Sequence, residues 1–431
     1  MDVVKEAPVD VSTSVSAISS IYELEDGEKF LHCIQCGTCG GVCPFGPWMD
    51  FVPRRMISAI RWGEFEQVLE SETAWMCVSC HACTKFCPQQ LPLSDSLMAR
   101  VKEELLLSGN VPEELQLALE NSQRYGNPMG ESPRKRGEWA KDLKPPVPIL
   151  GKEKSEVEVL WYVGDYPSYH PRSQETAIAL AKVLRALGID FAILGPDEVS
   201  DGDSQRMAGE RGLFEYLAEK NAKAFDKYAF HMILTTDPHA YNAIKNQYPT
   251  LGFDYHIQHF TEFLVERVEE LKPLLTNEIS ARVTYHDPCY LGRVNDIYDP
   301  PRRLIEAIPG VELIEMSHNR TNSLCCGGGG GGMWLDGFQW EIAQNRLSDW
   351  RTREAVLARP VEDFMSVIQS IDEKKHSKKK KEEEAPELKI LAVACPYEKP
   401  RFEDATKTVE GAENILVKDI SELLAESMGV L

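Results

Sequence analysis

Two runs of four cysteines constrain this chain more than any other feature. Cys33, Cys36, Cys39 and Cys43 followed by Pro44 spell C-x2-C-x2-C-x3-C-P, and Cys77, Cys80, Cys83 and Cys87 followed by Pro88 spell it again. Three thiolates at i, i+3 and i+6 on a tight turn reach three corners of one iron–sulfur cube, while the fourth cysteine has moved on with the chain and serves a neighbouring cube. The spacing therefore assigns cluster one to Cys33, Cys36, Cys39 and Cys87, and cluster two to Cys77, Cys80, Cys83 and Cys43, both of the 4Fe–4S type. Structural zinc is the competing use of cysteine, but it takes paired ligands separated by a longer gap, not three within seven residues.

The remaining sequence near these runs is consistent with bacterial ferredoxin-type ligation. Gly37, Gly40 and Gly41 beside the first run permit close backbone approach, with N–H groups free to donate to sulfides and raise the potential. The second run has fewer glycines, so a different potential is expected. His32 and His81 adjoin ligating cysteines, where a packed or hydrogen-bonded neighbour is the ordinary role. The stretch between the runs, 51–70, spaces Phe51, Val52, Met56, Ile60, Phe65, Val68 and Leu69 as a helical face requires, so the clusters are expected among helices.

Twelve cysteines without an export signal indicate a reducing compartment and metal ligation in place of disulfides. The opening MDVVKEAPVD lacks an apolar h-region, and no later stretch approaches the eighteen apolar residues of a membrane span. The expected location is cytoplasmic, with room for a place in a membrane-associated complex. A formal charge of −21 argues against nucleic acid or an anionic membrane surface as partner, and is at most a weak hint of a basic protein face.

At 431 residues and 43% hydrophobic the chain supports several domains. The first, 1–108, reads as a helical ferredoxin-like unit after a short lead-in. Residues 109–154, rich in Pro, Gly and charge, read as a partly ordered linker. Strand candidates Val157–Val163, Phe191–Leu194 and His231–Thr235 then alternate with helical stretches such as Thr176–Leu187, and the alternation resumes after Arg282, which predicts an α/β architecture with parallel sheets.

That α/β part is internally duplicated. Pro167–Arg172 (PSYHPR) matches Pro288–Arg293 (PCYLGR), each just after a strand candidate. Ser200-Asp201-Gly202 against Cys325-Cys326-Gly327, Asp237-Pro238 against Cys395-Pro396, and Thr261–Leu264 against Ser421–Leu424 follow in the same order. The units are 155–275 and 276–431, the second with a charged insertion, 372–386, too poor in apolar residues to pack and read as a solvated loop.

Cys289, Cys325, Cys326 and Cys395 occupy corresponding positions of the duplicated unit, at strand ends where α/β folds place ligands, and suggest a third metal centre. The glycine run Gly327–Gly332 leaves room for a bulky inorganic cluster, or forms a flexible loop; it is neither a P-loop nor a dinucleotide fingerprint. A tandem ferredoxin region joined to a duplicated CCG domain resembles the heterodisulfide reductase family, as a fusion of its ferredoxin-type subunit with its cluster-bearing subunit. The resemblance implies an oxidoreductase complex in which this chain transfers electrons. The implied partners are flavin- or quinone-linked subunits, either a heterodisulfide reductase-like flavoprotein or an electron-transfer flavoprotein.

Full members hold a non-cubane cluster with a vicinal pair, an earlier cysteine and a later C-x-x-C in each unit. Here the second unit reads Cys395-Pro396-Tyr397-Glu398, so four thiolates remain, enough for a cubane or an altered non-cubane. The first unit has Ser168, Ser200, Asp201 and Asp237 in place of the four cysteines, and Ala240 opposite Glu398, so it has lost its cluster. The leading expectation is a relay between the ferredoxin cubanes and the third cluster. One alternative is reduction of a disulfide, trisulfide or persulfide at that cluster, favoured by a substrate-sized cleft beside Cys326. Another is a two-cluster wire on a cluster-free assembly module. His286 and Asp287 could supply a proton, with strand-end packing the commoner role, and Arg293, Tyr290 and Trp334 read as core.

Overall fold

A computed structural model of the chain describes residues 27–141, 143–335, 352–353, 355–356, 358 and 388–431. The first 26 residues and the insertion 372–386 lie outside the described residues. The cysteine-rich segment is helical throughout, with Pro53–Trp62, Phe65–Leu69 and Ala99–Leu107 as its principal helices. Met56, Ile60, Phe65 and Val68, read as one helical face, are buried together with Trp75, Leu97, Val101 and Leu105 in a single core.

The expectation for 109–154 needs correction. Glu113–Tyr125 is a 13-residue helix that buries Leu115, Ala118, Leu119 and Ser122, spaced i, i+3, i+4 and i+7. Pro112 precedes it, and Gly126 ends it in the left-handed conformation. Leu115 and Leu119 share a core with the ferredoxin-type helices and with Ala208, Leu213 and Leu217 of the first α/β unit. Most of the prolines and glycines of the stretch lie from residue 126 onward, and counting them over the whole stretch hid the periodicity before it.

Two four-stranded parallel sheets follow. In the first, β1 (Glu156–Tyr162), β2 (Phe191–Ile193), β3 (Ala229–Thr235) and β4 (Ile257–His259) lie in the order β2-β1-β3-β4. In the second, β5 (Ala281–Tyr285), β6 (Val311–Leu313), β7 (Lys389–Val393) and β8 (Ile415–Asp419) lie in the order β6-β5-β7-β8. The identical topology carries the sequence duplication into three dimensions. Each unit closes on a helix with the same capping box: His259 with Glu262, and Asp419 with Glu422.

The units pack with pseudo-twofold symmetry. Helix Pro171–Ala186, after β1, lies on Ile420–Ser427, after β8, while Phe260–Val265, after β4, lies on Asp299–Glu306, after β5. One apolar core runs through both units. Polar ties are added by Ser421, whose hydroxyl donates to the Thr176 carbonyl (3.2 Å), and by Ser173, donating to the Pro396 carbonyl (3.0 Å).

Candidate iron–sulfur centres

The first predicted ligand set converges. Cys33, Cys36, Cys39 and Cys87 line one cavity together with Arg54, Ile57 and Leu91. Cys36 is exposed and Cys39 buried, so this cavity lies at the surface. Burial, followed by the proximity of Cys33, raises the Cys39 thiol. Gly37 sits at φ +87°, a left-handed turn that lets the short helix Thr38–Gly41 begin between the first cysteines.

The second set converges as well. Burial, then the neighbouring Cys80, Cys83 and Cys77, pushes the Cys43 thiol well up, and burial followed by Cys77 and Cys80 does the same to Cys83. Cys43 of the first run thus faces the second run, and Cys87 of the second run faces the first, as crossed ligation requires. His81 between the ligands adopts φ 60°, is buried, and contacts Asp95 at 3.3 Å.

Cys289, Cys325, Cys326 and Cys395 come together from three strand ends of the second unit, all buried. Cys325 is within hydrogen-bonding reach of Cys289, Cys326 and Cys80, contacts that push its thiol up while lowering those of Cys326 and Cys80. Burial and the Glu398 carboxylate raise Cys395. Glu398, at the position of the missing cysteine, is buried and paired with His286 at 2.8 Å. Asp287 is committed elsewhere, in a bidentate pair with Arg302 (2.7 and 2.8 Å).

In the first unit the equivalent positions carry oxygen side chains that bond within the unit. Ser168 donates to the Gly164 carbonyl (2.6 Å), Asp201 accepts from the Asp203 backbone (2.8 Å), and Asp237 accepts from that of His239 (2.8 Å). Burial drives Asp201 above the usual carboxylate range and Asp237 up to about 6. No soft ligand is present at these four positions.

Among the described residues no group of three or more His, Cys, Asp or Glu side chains closes around a single ion. A cleft of about 540 Å³ lies between the ferredoxin-type segment and the second unit, lined by Cys43, Cys80, Cys325 and Arg293 among others. It reaches Cys325, and Cys326 does not line it. Cluster two, with Cys43 and Cys80 on its wall, would take up part of that space.

Sequence reasoning set aside two residues that belong to this region. Arg293 is buried and donates to the Cys80 carbonyl at 2.8 Å, and Tyr290 stacks on His239 with ring centroids 4.0 Å apart. It missed Lys102, which is buried and donates to the carbonyls of Cys77 (2.8 Å) and Gly330 (3.0 Å). The signal was available: Met98, Val101, Lys102 and Leu105 follow helical spacing, so a lysine stands on an apolar face. The glycine run is no free loop, because a Cβ on Gly329 would stand 2.7 Å from the Val78 carbonyl oxygen and one on Gly330 2.7 Å from Ser79 Oγ. Its bare backbone lies directly on the second cysteine run.

Comparison with known proteins matches this architecture. Residues 32–92 match the 4Fe–4S dicluster domain, which supports two 4Fe–4S clusters, and residues 159–245 and 283–359 each match the cysteine-rich CCG domain. A probable iron–sulfur-binding oxidoreductase, FadF, from Bacillus subtilis is 38% identical over 84% of this chain and 47% of its own length. An EtfAB:quinone oxidoreductase from Syntrophomonas wolfei is 30% identical over the same shares. A dihydromethanophenazine:CoB–CoM heterodisulfide reductase subunit from Methanosarcina barkeri is 25% identical over 92% of this chain and 94% of its own length. The chain spans about half the length of the first two. No solved structure matches. No described helix is long and apolar enough to cross a membrane.

Proposed function

Starting from the homology of this chain to heterodisulfide reductase-like iron–sulfur proteins, we propose that it is the electron-transfer subunit of an oxidoreductase complex. Its ligands are Cys33, Cys36, Cys39 and Cys87 for one cubane, Cys77, Cys80, Cys83 and Cys43 for another, and Cys289, Cys325, Cys326 and Cys395 for a third 4Fe–4S cluster. When bound, such clusters supply one-electron capacity at fixed positions along a path.

The observation that carries the relay reading is the contact between Cys80 and Cys325. A residue of the second set touches one of the third, so the two sites adjoin at one wall of the cleft between the ferredoxin-type segment and the second unit. The glycine run pressed on Val78 and Ser79 holds that approach. Cys36, exposed at the far end, offers the entry or exit face, and the relatives suggest a flavin- or quinone-linked protein as the partner there. The cleft favours the relay over thiol chemistry, because it leads to Cys43, Cys80 and Cys325 and not to Cys326.

The test is iron and acid-labile sulfide per chain after anaerobic purification, with electron paramagnetic resonance (EPR) spectra of the parent and of Cys326→Ala. About twelve irons, falling towards eight in the variant with one signal lost, is the expected result. Eight irons in both would overturn the third cluster and leave a two-cluster wire.

A further inference from the structure

Lys102 and Arg293 approach the second cysteine run from two sides, and each ties it to the α/β part. Lys102 bonds the carbonyls of Cys77 and Gly330. Arg293 Nε donates to the Cys80 carbonyl (2.8 Å), and its Nη1 to the carbonyls of Ser323 and Thr321. Both side chains are buried, at 1% and 4% exposure. Arg293 Nη2 has no hydrogen-bond partner, although it is buried and the residue lines the cleft shared by Cys43, Cys80 and Cys325.

Among the described residues no carboxylate pairs with either cation. The matching residue of the first unit, Arg172, behaves in the opposite way, being exposed and paired with Glu175 and Glu403. A buried charge without an opposite charge is strongly disfavoured, so two of them beside one site call for an anion there. The groups facing them are ligand cysteines: Cys77 stands beside Lys102, whose charged form burial disfavours, and Cys80, Cys289 and Cys325 stand beside Arg293. The cations of the first site differ in burial: Arg54 on its wall and Arg61, which donates to the Cys33 carbonyl (2.9 Å), are both exposed and screened by water.

We propose that Lys102 and Arg293 are the built-in counter-charges of the second cluster, which they make the higher-potential of the two ferredoxin-type cubanes. One-electron reduction adds a negative charge to the cluster, and fixed cations at short range in a dry site stabilise that more negative state. Burial alone would lower the potential, and the two buried cations act against it. Arg293 also faces Cys289 and Cys325, so its charge extends to the third site. Lys102 and Arg293 would thereby favour the reduced state of a cluster held by the second set, at the junction between the exposed first site and the third site. The inference deepens the relay reading and rests on it.

The experiment is an EPR-monitored redox titration, with dithionite as reductant, of anaerobically purified full chain and of Lys102→Met, Arg293→Met and Lys102→Arg. The higher-potential cubane signal is expected to move to more negative potential in both methionine variants. It should stay near its place in Lys102→Arg, and the lower-potential signal should not move. At unchanged iron content, a higher-potential signal unmoved in both methionine variants overturns the proposal, as does an equal shift in Lys102→Arg, which would mark a structural role only. If a methionine variant loses iron, unaltered protein labelled with 15N at lysine Nζ decides by pulsed EPR, since Arg54 and Arg61 stand at the first site and arginine labelling would not discriminate. A 15N coupling to the higher-potential signal supports the assignment, and none overturns it. Failure of the relay reading would appear separately, as eight irons without a third signal, and would leave the second-cluster shift readable.

Discussion

Substituting the glycine run tests whether bare backbone is what seats the CCG loop on the second cysteine run. Three alanine variants separate the contributions. Gly109 has φ +75° and open space around it, so Gly109→Ala carries backbone strain alone, about 1–2 kcal/mol. Gly329 has no left-handed φ, but its Cβ would stand 2.7 Å from the Val78 carbonyl oxygen, so Gly329→Ala carries steric cost alone, about 1–3 kcal/mol. Gly330 combines both, with φ +59° and a Cβ 2.7 Å from Ser79 Oγ and 3.1 Å from the Val78 carbonyl carbon. Gly330→Ala should therefore cost about 2–5 kcal/mol, concentrated at this contact and not spread over the fold. Amide hydrogen exchange read by mass spectrometry over 77–83 and 327–332 measures the local opening, alongside a thermal melt. Gly330→Ala should open both segments together, Gly329→Ala should open them less, and Gly109→Ala should leave them protected. If Gly330→Ala exchanged there no faster than Gly109→Ala, the close approach would not be holding the two parts together.

Arg136 is buried between Glu198 (2.8 Å) and Asp165 (2.5 Å), so Arg136→Met strands two carboxylates and should destabilise by about 3–5 kcal/mol in denaturant titration; a cost under about 1 kcal/mol would refute the pairing argument. His259 is fully buried, bonds Thr236 and Thr261, and burial pushes it down to about 3 from 6.5. A depressed histidine contributes stability that is complete above pH 6.5 and lost as pH falls towards 3, roughly 5 kcal/mol over the window. His259→Asn keeps a helix-capping acceptor and should flatten the fall of melting temperature between pH 6.5 and 4, and equal slopes in parent and variant would refute the assignment. Cys326→Ala tests the third cluster by iron count, and Lys102→Met with Arg293→Met tests the counter-charges by potential.

The contrast between Arg172 and Arg293 shows where motif reading stops. Both end the same six-residue repeat after the first strand of a unit, yet one is a surface ion pair and the other a buried charge against thiols. The repeat specifies the turn, and the neighbours packed on it specify the chemistry. Asp201 and Asp237 make the same point, since they stand where cysteines stand in the second unit and each accepts a backbone N–H at its Oδ1.

The sequence by itself determined the two cysteine runs, the parallel α/β duplication and the loss of thiols from its first copy, and its spacing anticipated that Cys87 lies with the first run and Cys43 with the second. All of these are local spacings or repeated orders, and local geometry is what spacing encodes. Tertiary structure alone decided that helix Glu113–Tyr125 is shared by two domains, that the glycine run rests on Val78 and Ser79, and that Cys80 meets Cys325 across 245 positions of the chain. It also decided that Lys102 and Arg293 are buried beside the second run, with no carboxylate paired to either among the described residues. Such contacts depend on which surfaces meet after folding, and no periodicity along the chain records which charge is left without a partner.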